Sequence, residues 1–267
     1  MGPSIVLFAN LAAIQGSALE ISVAHEPSLE AVTVSWSGRE IPSVRVGGAW
    51  SAVIGIDLNA EPGAHTAEIS LTYTGGRIAR RQETIDVGDQ EFPTTRLEVE
   101  PGFVELSPDN QARAARESAD IETIYATLTP ERYWTAPFAI PVDGVAGGRN
   151  FGHSRVFNGQ ARAPHSGADL RAAEGTPVRA SNRGRVVLAR ELFFSGNAVF
   201  LDHGQGLYSV YLHLSEIEVE PGTLVERGQL LGLAGATGRV TGPHLHWGVR
   251  ILDARVDPFT LLDITTD

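Results

Sequence analysis

Short apolar–polar alternations, cut at close intervals by glycine and proline, leave this chain room for strands and for very little helix. Residues 31–36 alternate, as do 50–56 and 67–73. Between them lie Ser37-Gly38, Gly47-Gly48, Glu61-Pro62-Gly63 and Thr74-Gly75-Gly76. Alternate residues of a strand face one side, so each run can bury one face, and Gly and Pro supply the turns. Short strands spaced in this way predict a β-sandwich over residues 19–90. The pattern resumes from Phe138, with candidate strands at 178–180, 184–189, 198–202, 207–214, 223–225, 229–234 and 245–251. The stretch 109–127 differs. It contains neither Gly nor Pro, and Ile121, Ile124 and Tyr125 recur at helical spacing. Ser107 can cap it, with Pro108 in the first turn, and Thr129-Pro130 ends it.

The expected fold is therefore mainly β, in four parts. Residues 1–18 read as a possible signal segment, 19–90 as a β-sandwich-like accessory domain, 91–137 as a connection with one helix, and 138–267 as a second β domain. The first part rests on the apolar run 5–14 followed by the small residues Gly16-Ser17-Ala18. It lacks the basic start of a usual signal peptide, so a first strand or buried terminal segment is the competing reading. The run is too short for a standard membrane span.

Composition narrows the chemistry. The net charge of −11 argues against nucleic acid or an anionic membrane surface as the main partner. All 21 basic residues are Arg, which carries no functional reading. Without cysteine there are neither disulfides nor thiolate ligands, so a transition metal must rely on His and carboxylate.

Such residues occur in two stretches, Pro164-His165-Ser166-Gly167-Ala168-Asp169 and Pro243-His244-Leu245-His246-Trp247. On a strand, His244 and His246 share a face with backbones roughly 6.5 Å apart. Both could reach one metal, or one could hold it while the other sits beside the bound water; spacing leaves this open. His165 and Asp169 would be roughly 13 Å apart on a straight strand. The chain must bend between them, and Ser166-Gly167 is a plausible place. His, Asp and His make a three-ligand metal site with an open position.

His165-x-x-x-Asp169 followed by His244-x-His246 resembles the lysostaphin-type (LytM-like) zinc metallopeptidases, which cut peptide bonds of bacterial peptidoglycan. Phe157-Asn158-Gly159-Gln160, Gly175-Thr176-Pro177-Val178, Asp202-His203-Gly204, Tyr211-Leu212-His213-Leu214 and Gly235-Ala236-Thr237-Gly238-Arg239 resemble that family in the same order. The resemblance covers about residues 138–260. It implies one zinc on His165, Asp169 and His246, with His213 and His244 as catalytic residues handling protons or the oxyanion. Manganese, cobalt or iron stay open from the residues alone. It also implies a periplasmic or secreted monomer acting on peptide stems, at D-alanyl–diaminopimelate bonds or, alternatively, at glycine bridges. Some proteins of this fold are non-catalytic wall-binding or amidase-activating modules, and typically lack some ligands.

Other features read as structural. His25-Glu26 lacks the second His of a zincin, since position 29 is Leu29, and His65 is isolated. His203 matches a turn position, His153, which follows Phe151-Gly152, is read likewise, and Asn150 is a candidate for metal contact or groove lining. Gly232-x-x-Gly235-x-x-Gly238 lacks a Walker lysine and a following helix, so turns explain it better than phosphate binding. There is no Gly-x-Ser-x-Gly nucleophile elbow.

Overall fold

A computed structural model describes residues 11–144, 148 and 150–264. The fold is mainly β, as the alternation predicts.

The N-terminal half is two stacked sheets. One runs in the order Ala12–Ile14, Ile78–Gly88, Gly63–Tyr73, Leu29–Trp36, Arg39–Pro42, and the other Ala18–Ala24, Ala49–Gly55, Val44–Val46. Alternation explains the stacking. Val32, Val34, Ala67, Ile69 and Leu71 point inward from the first sheet and meet Ile21, Val23, Ala52 and Ile54 of the second. Leu11 is buried in the same core and Ala12–Ile14 pairs parallel with Ile78–Gly88. These residues fall within the segment expected as a signal; residues 1–10 lie outside the described residues.

The C-terminal half is a nine-stranded sheet. Its main path is Gly167–Leu170, Leu245–Ile251, Leu207–Ile217, Gly196–Gly204, Gly184–Leu192, Leu224–Val225. All these neighbours are antiparallel. The central strands are buried along almost their whole length because both faces are covered. On one face Ile121, Ile124 and Tyr125 of the helix Pro108–Ala126 press on Leu188, Ala198, Phe200 and Val210. The helix starts where the sequence places it: the Ser107 hydroxyl accepts from the Asn110 N–H at 3.2 Å.

The two halves share a core. Val53 of the sandwich packs with Trp134, Phe138, Val249, Ile251 and Val256. Gly55 allows the close approach, since a Cβ there would lie 2.7 Å from that of Ala254. Arg255 grips Asp57 through both guanidinium arms, at 2.6 and 3.0 Å. All this happens at the C-terminal end of Leu245–Ile251. His246, at the other end of that strand, is five residues from Ile251, roughly 17 Å along it.

The connecting region is more than a linker. Thr94–Leu97 pairs parallel with Ser154–Phe157, which forms a hairpin with Gln160–Arg162. This small sheet was not expected from the sequence, and it borders the candidate site.

Candidate metal centre

The register of two neighbouring strands builds the first part of the site. Asp169 in Gly167–Leu170 lies directly opposite His246 in Leu245–Ile251. Gly167, two pairs further along and so on the same face, keeps space for the imidazole: a Cβ there would come within 2.6 Å of His246 Nε2. The irregular residues 163–166 turn the chain before this strand, so His165 approaches Asp169 from outside the sheet. His244 also lies outside the strand, joined by a lone bridge to Gly235.

These placements focus three donors on one point. Asp169 Oδ1 is 3.0 Å from His165 Nε2 and 2.9 Å from His246 Nδ1, and the two imidazole nitrogens are 2.8 Å apart. Among the described residues, this is the one group of His and acidic side chains whose donor atoms could hold a metal ion, all lying within 4.8 Å of one another. Two imidazoles and a carboxylate suit zinc and other first-row divalent ions, with a position left open.

Asp169 divides its two oxygens. Oδ1 faces the histidines, while Oδ2 accepts from Asn150 Nδ2 at 2.9 Å and from Arg155 Nη2 at 3.1 Å. Asn150 also accepts the Asp169 backbone N–H on its side-chain oxygen and the His165 Nδ1–H on its carbonyl, both at 2.9 Å. It thus fixes two of the three donors. Such outer partners set the tautomer and orientation of a ligating His.

His213 and His244 complete the cluster. Their ring centroids are 5.0 Å apart, and His213 is 6.1 Å from His246. His213 owes its position to a bulge. Leu212 and His213 together oppose Ala198, and His213 takes φ +66°, unusual for a side chain of this bulk. Its Nδ1–H donates to the Thr237 carbonyl at 2.9 Å, and that of His244 to the Gly242 carbonyl at 2.8 Å. With Nδ1 so engaged, both rings are left with Nε2 as acceptor. For His244 that nitrogen lies 3.6 Å from Asp169 Oδ1.

Burial makes His165, His213 and His246 neutral near pH 7. Desolvation lowers His165, more strongly than Asp169 raises it. It lowers His246 to about 4 and His213 to about 3, assisted in His213 by the other imidazoles. For Asp169, burial alone would favour the acid form, but its close contacts with the ring nitrogens of His165 and His246 outweigh it and hold the carboxyl well below the usual range. A carboxylate and neutral imidazoles are the protonation states a metal needs.

A cavity of about 300 Å³ opens onto this group, lined by Thr95, Leu97, Asn150, Arg155, Asp169, Gly242 and His244. It lies between the main sheet and the connecting strand.

The chain matches the profile of Peptidase family M23 over residues 163–258, a stretch that contains all five clustered side chains. A crystal structure from Pseudomonas aeruginosa described as a peptidase M23 superposes with a TM-score of 0.71 at 33% identity, over 93% of this chain and 94% of that one. This chain belongs to peptidase family M23. Two curated M23-like relatives come from Vibrio cholerae. Peptidoglycan DD-endopeptidase ShyA is 52% identical over 85 residues, 32% of this chain and 20% of its own length. Peptidoglycan DD-endopeptidase ShyB is 44% identical over 94 residues, 35% and 22%. The matched region is thus about a fifth of the length of those relatives.

Three of the four remaining histidines of this M23 chain are engaged elsewhere, and the fourth, His25, lies in the sandwich with a buried Nδ1 that has no hydrogen-bond partner. His203 is fully buried, with Nδ1 on the Arg183 carbonyl at 2.8 Å and Nε2 on Ser209 Oγ at 2.7 Å. His153 Nδ1 meets Thr95 Oγ1 at 2.9 Å, and His65 lies 2.6 Å from the Glu61 carbonyl. Arg155 is the side chain that sequence reasoning missed. No local pattern marks an arginine fourteen positions before its carboxylate; the register of the small sheet brings it there.

Proposed function

We propose that this chain is a zinc endopeptidase that hydrolyses peptide cross-links of bacterial peptidoglycan, at D-alanyl–diaminopimelate bonds, in the periplasm or outside the cell. The observation that carries the reading is the convergence of His165 Nε2, His246 Nδ1 and Asp169 Oδ1 at an open cavity, with the acceptor nitrogens of His213 and His244 beside them. Family membership and the DD-endopeptidase relatives support the substrate. Among the described residues no helix is long and apolar enough to cross a membrane.

His165, Asp169 and His246 would hold the metal. Zinc there supplies a Lewis acid that polarises the scissile carbonyl and brings a bound water towards a pKa of about 7. The chain's own part is proton transfer. His213 and His244 present lone pairs, so each accepts a proton before it can give one. Neither serves as an oxyanion donor while neutral, because the Nδ1–H of each is spent on a backbone carbonyl. Once protonated, either imidazolium can stabilise the oxyanion or pass its proton to the leaving amine. His244 lines the cavity and is the more accessible of the two.

The sandwich supplies none of the cavity lining; Thr95 and Leu97 of the connecting strand do. Any shielding of the groove therefore falls to the connection, and the sandwich acts as a support for the far end of the catalytic sheet. The test is digestion of purified peptidoglycan followed by mass analysis of the released muropeptides. Cross-linked dimers should give monomers, chelation should stop this, and added zinc should restore it. Intact dimers with zinc-loaded protein would refute the reading.

A further inference from the structure

The small sheet beside the cavity carries an arrangement that its own stability does not explain. In the hairpin, Arg155 lies directly opposite Arg162. Like charges in that position are destabilising. A third guanidinium joins them from the loop before His244. Arg239 sits 4.9 Å from the ring centre of Phe157 and 4.4 Å from that of Phe194. Arg155 sits against the same Phe157 ring at 5.8 Å. Burial, reinforced by repulsion from Arg155 and Arg162, pushes Arg239 down to about 10.

Little neutralises this cluster. Arg155 reaches Asp169, whose other oxygen faces the histidines. Arg162 spends Nη2 on the Val104 carbonyl and Gln160 Oε1, and its buried Nε has no partner. Among the described residues no carboxylate is within ion-pair distance of Arg162 or Arg239. Yet the chain has 32 acidic residues against 21 basic ones, so acids were available. Aromatic faces fix a guanidinium without consuming its N–H donors, which stay free in the plane for a bidentate acceptor. Arg155 lines the same cavity as His244, so an acceptor held there is next to the reacting bond.

Building on the endopeptidase reading, we propose that Arg155, Arg162 and Arg239 form a carboxylate subsite that selects stem peptides with a free acid beside the scissile bond over amidated ones. A diaminopimelate cross-link carries such a carboxylate; a glycine bridge carries none within its run.

The test uses the zinc-loaded full chain and two synthetic cross-linked stem peptides. They differ only in whether the diaminopimelate carboxyl beside the scissile bond is free or amidated. A charged hydrogen-bonded contact predicts a KM roughly 10- to 100-fold lower for the acid. In Arg239→Gln that ratio should collapse towards one, in Arg162→Gln it should shrink, and in Arg239→Lys part of it should survive. Thermal unfolding of each variant separates loss of selectivity from loss of fold. Titration calorimetry with the two product peptides reads the same preference without turnover. If neither substrate is cleaved, the endopeptidase reading fails and calorimetry still decides the subsite. Equal affinities for acid and amide would overturn the subsite while leaving the peptidase intact. So would inorganic phosphate displacing both peptides alike, which marks a generic anion site.

Discussion

The two β halves of this chain are built alike and filled differently. The buried polar residues described in the sandwich are serines: Ser17, Ser43 and Ser51. The catalytic sheet buries His165, His203, His213, His246 and Asp202. Burying ionisable groups costs free energy, so one half bears a cost that the other avoids. The difference separates a packing module from a working one. Burial alone is still insufficient, as His203 shows. It is as buried as any of them, but both its nitrogens are satisfied within the fold, whereas His165, His213 and His244 each tie down Nδ1 and leave Nε2 facing the centre.

The sharpest break of that comparison is Asp169→Ala. It should abolish stoichiometric zinc and reduce cross-link cleavage to background, while the sandwich core stays untouched; metal analysis and muropeptide release check both. Next, Asn150→Ala should weaken metal binding by roughly 10- to 100-fold, the usual effect of losing an outer partner, read by competition with a chelating dye. His213→Ala should keep zinc but slow turnover by roughly 10²–10⁴.

Effects on the packing half should be smaller and of another kind. Asp57→Ala removes the grip of Arg255 at the shared core. It should cost roughly 1–3 kcal/mol of stability in thermal unfolding and leave the metal affinity unchanged, because that contact is at the far end of Leu245–Ile251. A drop in zinc affinity would show that the halves are coupled through the strand.

A test on the other half uses pH. Desolvation lowers His203 to about 4 from an ordinary 6.5. Its contribution is full above 6.5 and lost as pH falls towards 4, because the unfolded chain takes up a proton that the folded chain refuses. The contribution is on the order of 3 kcal/mol. His203→Gln should flatten the fall in metal-free stability across that window.

Much of this was legible in the sequence, for local reasons. Leu245–Ile251 shows itself by alternation, and Pro108–Ala126 by its cap and its freedom from Gly and Pro. Ile78–Gly88 escaped because Arg81 and Glu83 stand on the same face as its buried Ile85 and Val87 and so break the apolar alternation. Thr94–Leu97 and Ser154–Phe157 escaped because each is four residues long and gains meaning only by pairing with the other. The same divide runs through the site. His165, Asp169, His244 and His246 stand in two short motifs. The support from Asn150 and Arg155, and the left-handed turn that aims His213, depend on contacts distant in sequence.

The most direct test compares two histidines a residue apart. His246→Ala and His244→Ala should be assayed together for zinc per chain at limiting metal and for cross-link cleavage. The geometry predicts that His246→Ala loses metal and rate together, while His244→Ala keeps its zinc and loses only rate. Zinc released from His244→Ala and retained by His246→Ala, or neither change altering either quantity, would contradict the assignment of the centre.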